Sequence, residues 1–400
     1  MRTLLYVENL TVSFEGFLAL ERLNLIVAPD ERVRLVIGPN GAGKTTLFDV
    51  LTGHVAPVAG RVLFQDTANL LGRSPAAIAA LGVVRKFQTP SVFPRHTVLE
   101  NMRLALGPRR LGATLVARSG PAAEEAIAAA LAQVGLLAAA HRPAGLLSHG
   151  QQQWLELAML LVQAPTLLLL DEPVAGMTRP EKERTAELIL DIVVRTRSHV
   201  MLIEHDMEFV RWLAGHGYQV TVLHEGRVLA EGPLARVQAD PRVVEAYLGR
   251  GIARSNLHDY LGAIDELTRA LQLNPAESEA YFFRGDALLN LRAYRDAIDD
   301  FTRTLQADPN NADAYVGRGQ ARRALGDTAG ALQDFTQAIT LNPQSVDAYL
   351  ARGELRFSLQ DFQGAVEDLT QVLRLNPNAE AEVYVLRGAA RRESGDQAGA

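Results

Sequence analysis

Gly38-Pro39-Asn40-Gly41-Ala42-Gly43-Lys44-Thr45 stands between the apolar run Arg34-Leu35-Val36-Ile37 and the segment Thr46-Leu47-Phe48-Asp49-Val50. The first neighbour reads as a strand and the second as a helix. A loop in that place is suited to phosphate. Its glycines let the backbone curl until successive N–H groups face one anion, and the helix N-terminus adds partial positive charge. Lys44 reaches the outer phosphates, and Thr45 sets a hydroxyl where Mg2+ would sit. Gly38 through Thr46 are therefore the expected nucleotide contacts.

Working outward, the composition narrows the chain's class. Its 400 residues are enough for two or three domains, and 48% hydrophobic content supplies packed cores. There is no cysteine, so disulfide and thiolate chemistry are excluded. The N-terminus meets Glu8 too early for a secretory signal, and no apolar run is long enough to span a membrane. Any membrane role is expected to be peripheral. Residues 1–250 carry 25 basic and 24 acidic side chains, whereas 251–400 carry 15 and 22. Neither part is basic enough to predict a nucleic-acid partner.

Beyond about residue 245 the chain repeats. Pro275, Pro309, Pro343 and Pro377 follow one another every 34 residues. The pairs Tyr247/Gly251, Tyr281/Gly285, Tyr315/Gly319 and Tyr349/Gly353 recur in phase, as do Ala263/Leu267, Ala297/Phe301, Ala331/Phe335 and Ala365/Leu369. Period and marker order resemble the tetratricopeptide repeat (TPR), which implies stacked helical hairpins. Two departures stand out. Arg250, Arg284, Arg318 and Arg352 occupy a position where the repeat usually has leucine. Gly388 arrives one residue late, and the chain stops at Ala400 inside a fifth unit, so either the natural chain continues or it ends in a frayed partial repeat. Glu245, Glu279, Asp313 and Asp347 also recur. They form either an acidic row for a basic peptide or, the favoured reading, first-turn acids that satisfy the helix dipole.

The first part carries further landmarks in a fixed order: Lys86-Phe87-Gln88, Leu147-Ser148-His149-Gly150-Gln151, Leu167-Leu168-Leu169-Leu170-Asp171-Glu172-Pro173, and Ile203-Glu204-His205-Asp206. An apolar run that ends in two carboxylates reads as a strand buried on both faces, its acids at the active edge. Together these motifs resemble the nucleotide-binding subunit of ABC transporters over essentially all of residues 1–250. That resemblance implies an α/β P-loop NTPase with antiparallel-β and α-helical subdomains, followed by an all-α TPR solenoid. The expected domains are 1–248 and 249–400, with the first repeat helix overlapping the seam at 244–251.

The same resemblance implies the roles. ATP and Mg2+ are the cofactors and hydrolysis is the reaction, which mainly needs positioning and charge neutralisation. Asp171 holds the metal through water. Glu172 orients the attacking water, His205 contacts the γ-phosphate, and Gln88 touches metal and water from a loop that senses the membrane partner. Phe14 is the candidate to stack on adenine, with Phe17 or plain packing as alternatives. Ser148, Gly150 and Gln151 begin a helix that meets the ATP of a second subunit, so two sites form only in a head-to-tail homo- or heterodimer. His149, Trp154 and Thr178 depart from the residues most relatives carry at those places.

Gly82–Gln88, Glu204–Met207 and Asp240–Gly249 resemble the branched-chain amino-acid importer ATPases. Arg142–Gln151, Trp154-Leu155-Glu156, Glu172–Thr178 and His205–Arg211 resemble, within that group, the ATPase of urea importers. Three functions follow as expectations: a urea importer's ATPase first, an amino-acid importer's second, and a soluble ABC ATPase with a recruiting repeat array third. The importer readings imply permease subunits in the membrane, a solute-binding protein outside it, a place on the cytoplasmic face, and an unidentified protein ligand for the repeats.

Overall fold

The structure, a computed structural model, describes residues 2–87, 91–106 and 121–395. They divide into two compact units, Met1–Val243 and Val244–Ala400. The first opens with a hairpin of β1 (Leu5–Phe14) and β2 (Phe17–Val27), turned at Glu15-Gly16 with both residues at positive φ. β3 (Val33–Ile37), α1 (Lys44–Leu51), β4 (Ala59–Phe64), β5 (Ala68–Asn69), α2 (Pro75–Ala80) and β6 (Val83–Lys86) follow. A helical stretch comes next: α3 (Val98–Ala105), α4 (Pro121–Gln133) and α5 (His149–Leu161). The unit then alternates through β7 (Leu167–Asp171), α6 (Arg179–Arg195), β8 (His199–Ile203), α7 (Met207–Ala214), β9 (Gln219–His224), β10 (Arg227–Pro233) and α8 (Leu234–Gln238).

Two sheets result. One is antiparallel, in the order β2-β1-β4-β5; the other runs β10-β9-β3-β8-β7-β6 and is parallel apart from β10. β3, β7 and β8 are buried along their whole length, as continuous apolar strands of a covered parallel sheet should be. Leu5, Leu20, Leu25 and Phe64 of the antiparallel sheet share one core with Leu47 and Phe48 of α1 and Leu169 of β7. The helical stretch keeps a core of its own around Met102, Ile127, Leu131 and Leu155. The hairpin is long because the register of β1 on β2 continues through several bulges to Phe14 and Phe17.

The second unit is helical throughout. It comprises α9 (Pro241–Asn256), which spans the residue where the units divide, α10 (Tyr260–Leu273), α11 (Ser278–Asn290), α12 (Tyr294–Ala307), α13 (Ala312–Ala324), α14 (Thr328–Leu341), α15 (Val346–Ser358), α16 (Phe362–Leu375) and α17 (Ala381–Glu393). Within each repeat a glycine lets two helices approach. A Cβ on Gly319 would lie 2.6 Å from the Phe335 ring, and one on Gly251 2.5 Å from Leu267.

The arginines in the leucine position have partners. Arg284, Arg318 and Arg352 each grip a buried aspartate sixteen residues on (Asp300, Asp334, Asp368) through two parallel hydrogen bonds of 2.7–3.0 Å. Each also donates to a threonine of the preceding repeat: Thr268, Thr302 and Thr336. The tyrosine three residues earlier lies within 5.9 Å of each guanidinium as a π-face. Arg250 meets Glu266 at 3.8 Å instead. Glu279, Asp313 and Asp347 fall in first turns as expected. Glu245 does not: α9 begins at Pro241, a full turn earlier, and no acid occupies its first turn.

Candidate functional site

Strand order assembles the site. β8 lies between β3 and β7, so the C-terminal ends of these three strands bring the phosphate loop, His205 and the Asp171-Glu172 pair to one edge. That edge is where open α/β sheets bind ligands. Two of the loop's glycines are demanded by the backbone. Gly38 has φ 147 and a Cβ there would sit 2.1 Å from the Leu223 carbonyl oxygen; Gly43 has φ 93 and would meet the Ala19 oxygen at 2.5 Å. Lys44, buried at the first position of α1, donates to the carbonyls of Gly38 (2.7 Å) and Pro39 (2.8 Å). Thr45 is exposed and Thr46 half-exposed at the same helix start, with Asn40, Gly41 and Ala42 in the turn before them.

Phe14 and Phe17 flank the hairpin turn and are both exposed. β2 passes directly behind the loop at Ala19, so Phe17 is on the strand that adjoins the loop and Phe14 ends the neighbouring strand β1. Glu172 takes a left-handed backbone, φ 47, a placement that costs about 1–3 kcal/mol and is retained where geometry matters. Its N–H is held by the Ile203 carbonyl at 3.0 Å, and its Oε1 lies 2.9 Å from His205 Nε2. The structure therefore brings Glu172 and His205 together, though they are far apart in sequence. Gln88 lies outside the described residues.

Asp171 is buried at the end of β7. Burial pushes its carboxyl up, and the Arg85 guanidinium opposes that shift. Arg85 donates to Asp171 Oδ2 (2.6 Å) and to Asp49 Oδ1 (2.5 Å). Asp171 Oδ1 has no hydrogen-bond partner among the described residues. An orphaned carboxylate oxygen at the end of β7 and an exposed threonine hydroxyl at the start of α1 are the kinds of oxygen donor that a hard divalent cation keeping most of its water takes. Asp171 and Thr45 would hold Mg2+, which when bound supplies charge neutralisation for the phosphates.

The N-terminus of α5 is capped reciprocally. Ser148 Oγ accepts from Gln151 N (3.2 Å), and the Gln151 side chain accepts from Ser148 N (3.1 Å). Glu181, in a second capping box with Thr178, lies 3.4 Å from Ser148 Oγ and beside Gly150. Ser148, Gly150 and Gln151 thus form a capped helix N-terminus with partners of its own.

Sequence reasoning passed over four charged residues. Arg85 organises Asp171, and Lys86 pairs with Glu156. Glu204 is buried, accepts from the N–H groups of Val174, His205 and Asp206, and is pushed up to about 7 by burial. Its three donors hold the turns after β7 and β8 together. The available signal was charge ending an apolar strand: Arg85-Lys86 after Val83-Val84, and Glu204 after Leu202-Ile203.

A phosphate loop, a buried carboxylate at a strand end, a paired glutamate and histidine, and a capped helix end fit an ABC-type ATPase. The sequence profile of the ABC transporter family matches residues 20–175, that of the branched-chain amino acid ATP-binding cassette transporter 227–253, and that of the tetratricopeptide repeat 248–312 and 316–380. The high-affinity branched-chain amino acid transport ATP-binding protein LivG of Escherichia coli K12 is 39% identical over 254 residues, covering 62% of this chain and 98% of LivG. BraF of Pseudomonas aeruginosa, of the same description, is 38% identical over 257 residues with the same coverage. An ATP-binding cassette of an ABC transporter solved in its ADP conformation superposes with a TM-score of 0.55 at 30% identity, covering 62% of this chain and 99% of that one. The chain belongs to the ATP-binding proteins of ABC transporters, in the branched-chain amino-acid type, and carries TPR repeats behind the ATPase. It is an ABC importer ATPase.

Proposed function

We propose that two such subunits, identical or related, close head to tail so that Lys44 of one and Ser148 of the other face the same ATP, and that they drive a permease from the cytoplasmic face of the membrane. The observation that supports this reading is the capped start of α5, where Ser148 is partnered, among the described residues, by Gln151 and Glu181 and by no residue of the phosphate loop. Half a site on each of two elements asks for a second copy. Glu172, held by β8 and paired with His205, orients water; Lys44 and the loop N–H groups bind the phosphates; Gln88 is assigned to metal and water by family resemblance.

For the solute, a branched-chain amino acid is the first reading, supported by the descriptions of LivG and BraF. Urea, the expectation from the sequence, is the second, supported by the segments around Ser148, Trp154, Met177 and Phe209. A solute-binding protein outside the membrane would deliver either one. No helix among the described residues is long and apolar enough to cross a membrane, so a permease would be a separate chain on these readings. The repeats, with the domain seam at 244–251, are proposed to recruit a protein. Labelled leucine and urea uptake in a strain lacking the gene separates the two solutes. Co-purification without any permease would instead favour a soluble ABC ATPase.

A further inference from the structure

β6 ends in two consecutive cations that strand alternation sends to opposite faces. Arg85 turns toward the nucleotide edge, to Asp171 and Asp49. Lys86 turns the other way, toward α5. Its Nζ lies 3.6 Å from Glu156 Oε2 and donates to the Phe87 carbonyl at 3.1 Å. Glu156 uses its other oxygen, Oε1, to accept from Ser91 N at 3.2 Å. One carboxylate of α5 therefore meets the chain both before and after residues 88–90. Lys86 is 1% exposed and Glu156 4%, so the pair is dry. A cavity of about 10 Å³, room for one water at most, adjoins it between Trp154, Met177, Thr185 and Ile189.

Such a pair is a poor way to add stability. Desolvating two charges cancels most of their attraction, and apolar side chains of similar volume pack as well or better. What a buried pair adds is one defined geometry between the elements it joins. Here those elements are the strand whose preceding residue orients Asp171 and the helix whose N-terminus carries Ser148 and Gly150.

We propose that the Lys86–Glu156 ion pair is a positioning joint for ATP hydrolysis, holding the catalytic end of β6 in register with α5. It deepens the ATPase assignment and rests on it. Neither residue touches nucleotide; both act through the elements they connect. ATP binding, carried by the phosphate loop on β3 and α1, should not depend on the pair, whereas the rate of hydrolysis should.

The full chain in a Trp212→Phe background leaves Trp154, whose Nε1 donates to Thr185 Oγ1 at 2.9 Å, as the fluorescent reporter beside the pair. Glu156→Gln, Lys86→Met and the double variant Lys86→Met/Glu156→Leu are compared by ATP affinity, kcat, thermal midpoint and the Trp154 response to ATP. The expected result is kcat reduced on the order of ten- to a hundred-fold in all three. ATP affinity should stay within about two-fold, because the loop is untouched. The double variant should melt at or above the wild-type temperature and still be slow, with an altered Trp154 response. A double variant that melts like the wild type and hydrolyses at its rate would overturn the proposal, as would Glu156→Gln with unchanged kcat. Absence of hydrolysis in the wild type would overturn the ATPase assignment itself, a pattern distinct from either.

Discussion

Glu172 shows how much a single residue position holds. Its left-handed backbone, its tether to the Ile203 carbonyl and its contact with His205 fix one carboxylate at the end of β7. Glu172→Gln keeps the size and one acceptor but loses the charge that, on the proposed function, polarises water. Hydrolysis should fall on the order of 10²–10⁴-fold while ATP binding persists, and an ATP-bound dimer should accumulate by size measurement. Unchanged hydrolysis would remove Glu172 from the mechanism. Glu204 gives a pH prediction. Its carboxyl titrates near 7 in the folded protein against an ordinary value near 4.5, so the native state holds the extra proton between those values. Its contribution to stability therefore falls as pH rises through that window. Glu204→Gln should flatten the slope of unfolding free energy between pH 4.5 and 7; a slope unchanged from wild type would show that another group carries it.

At the scale of elements, the repeat array is tied by a ladder of arginines rather than by leucines. Each rung joins a helix to its partner through a bidentate aspartate pair and to the previous repeat through a threonine. Asp334 is almost fully buried and also accepts from Arg322 at 2.9 Å. Asp334→Ala leaves buried guanidinium charge uncompensated and should cost about 3–5 kcal/mol in array stability. Arg318→Leu/Asp334→Leu, which installs the apolar side chain usual at the arginine position, should recover most of that loss in a calorimetric scan. If the double variant melts as low as the single one, the rung contributes through more than its charges.

At the scale of the molecule, every proposed nucleotide contact lies in the first unit, and α9 runs across the residue where the two units divide. The family profile for the cassette's end matches to residue 253, inside α9. A chain cut after Asn256 retains that helix whole. It should hydrolyse ATP at the full-length rate and lose a protein partner in pull-downs. Loss of hydrolysis at saturating protein concentration would mean that the repeats serve subunit association instead of recruitment.

How much of this was legible beforehand follows from the range of each interaction. The phosphate loop reads directly, because a left-handed backbone and a close carbonyl admit only glycine at Gly38 and Gly43. The apolar run into Asp171-Glu172 and the 34-residue period read directly too, since burial and stacking impose residue type at fixed spacing. Even the arginine ladder was written there, at a constant separation of sixteen, although arginine in place of leucine reads first as an exception. The pairings that complete the site were not legible. Arg85 and Asp171 are 86 residues apart and meet because β6 and β7 are neighbours in the sheet. Lys86 meets Glu156, and Glu172 meets His205, for similar reasons of placement. Sequence by itself determined which residues carry charge at the ends of buried strands. Only the order of those strands and the helix packed on them decided which charge faces which in the cassette, because there a buried ion finds its partner on a neighbouring element far away in the chain.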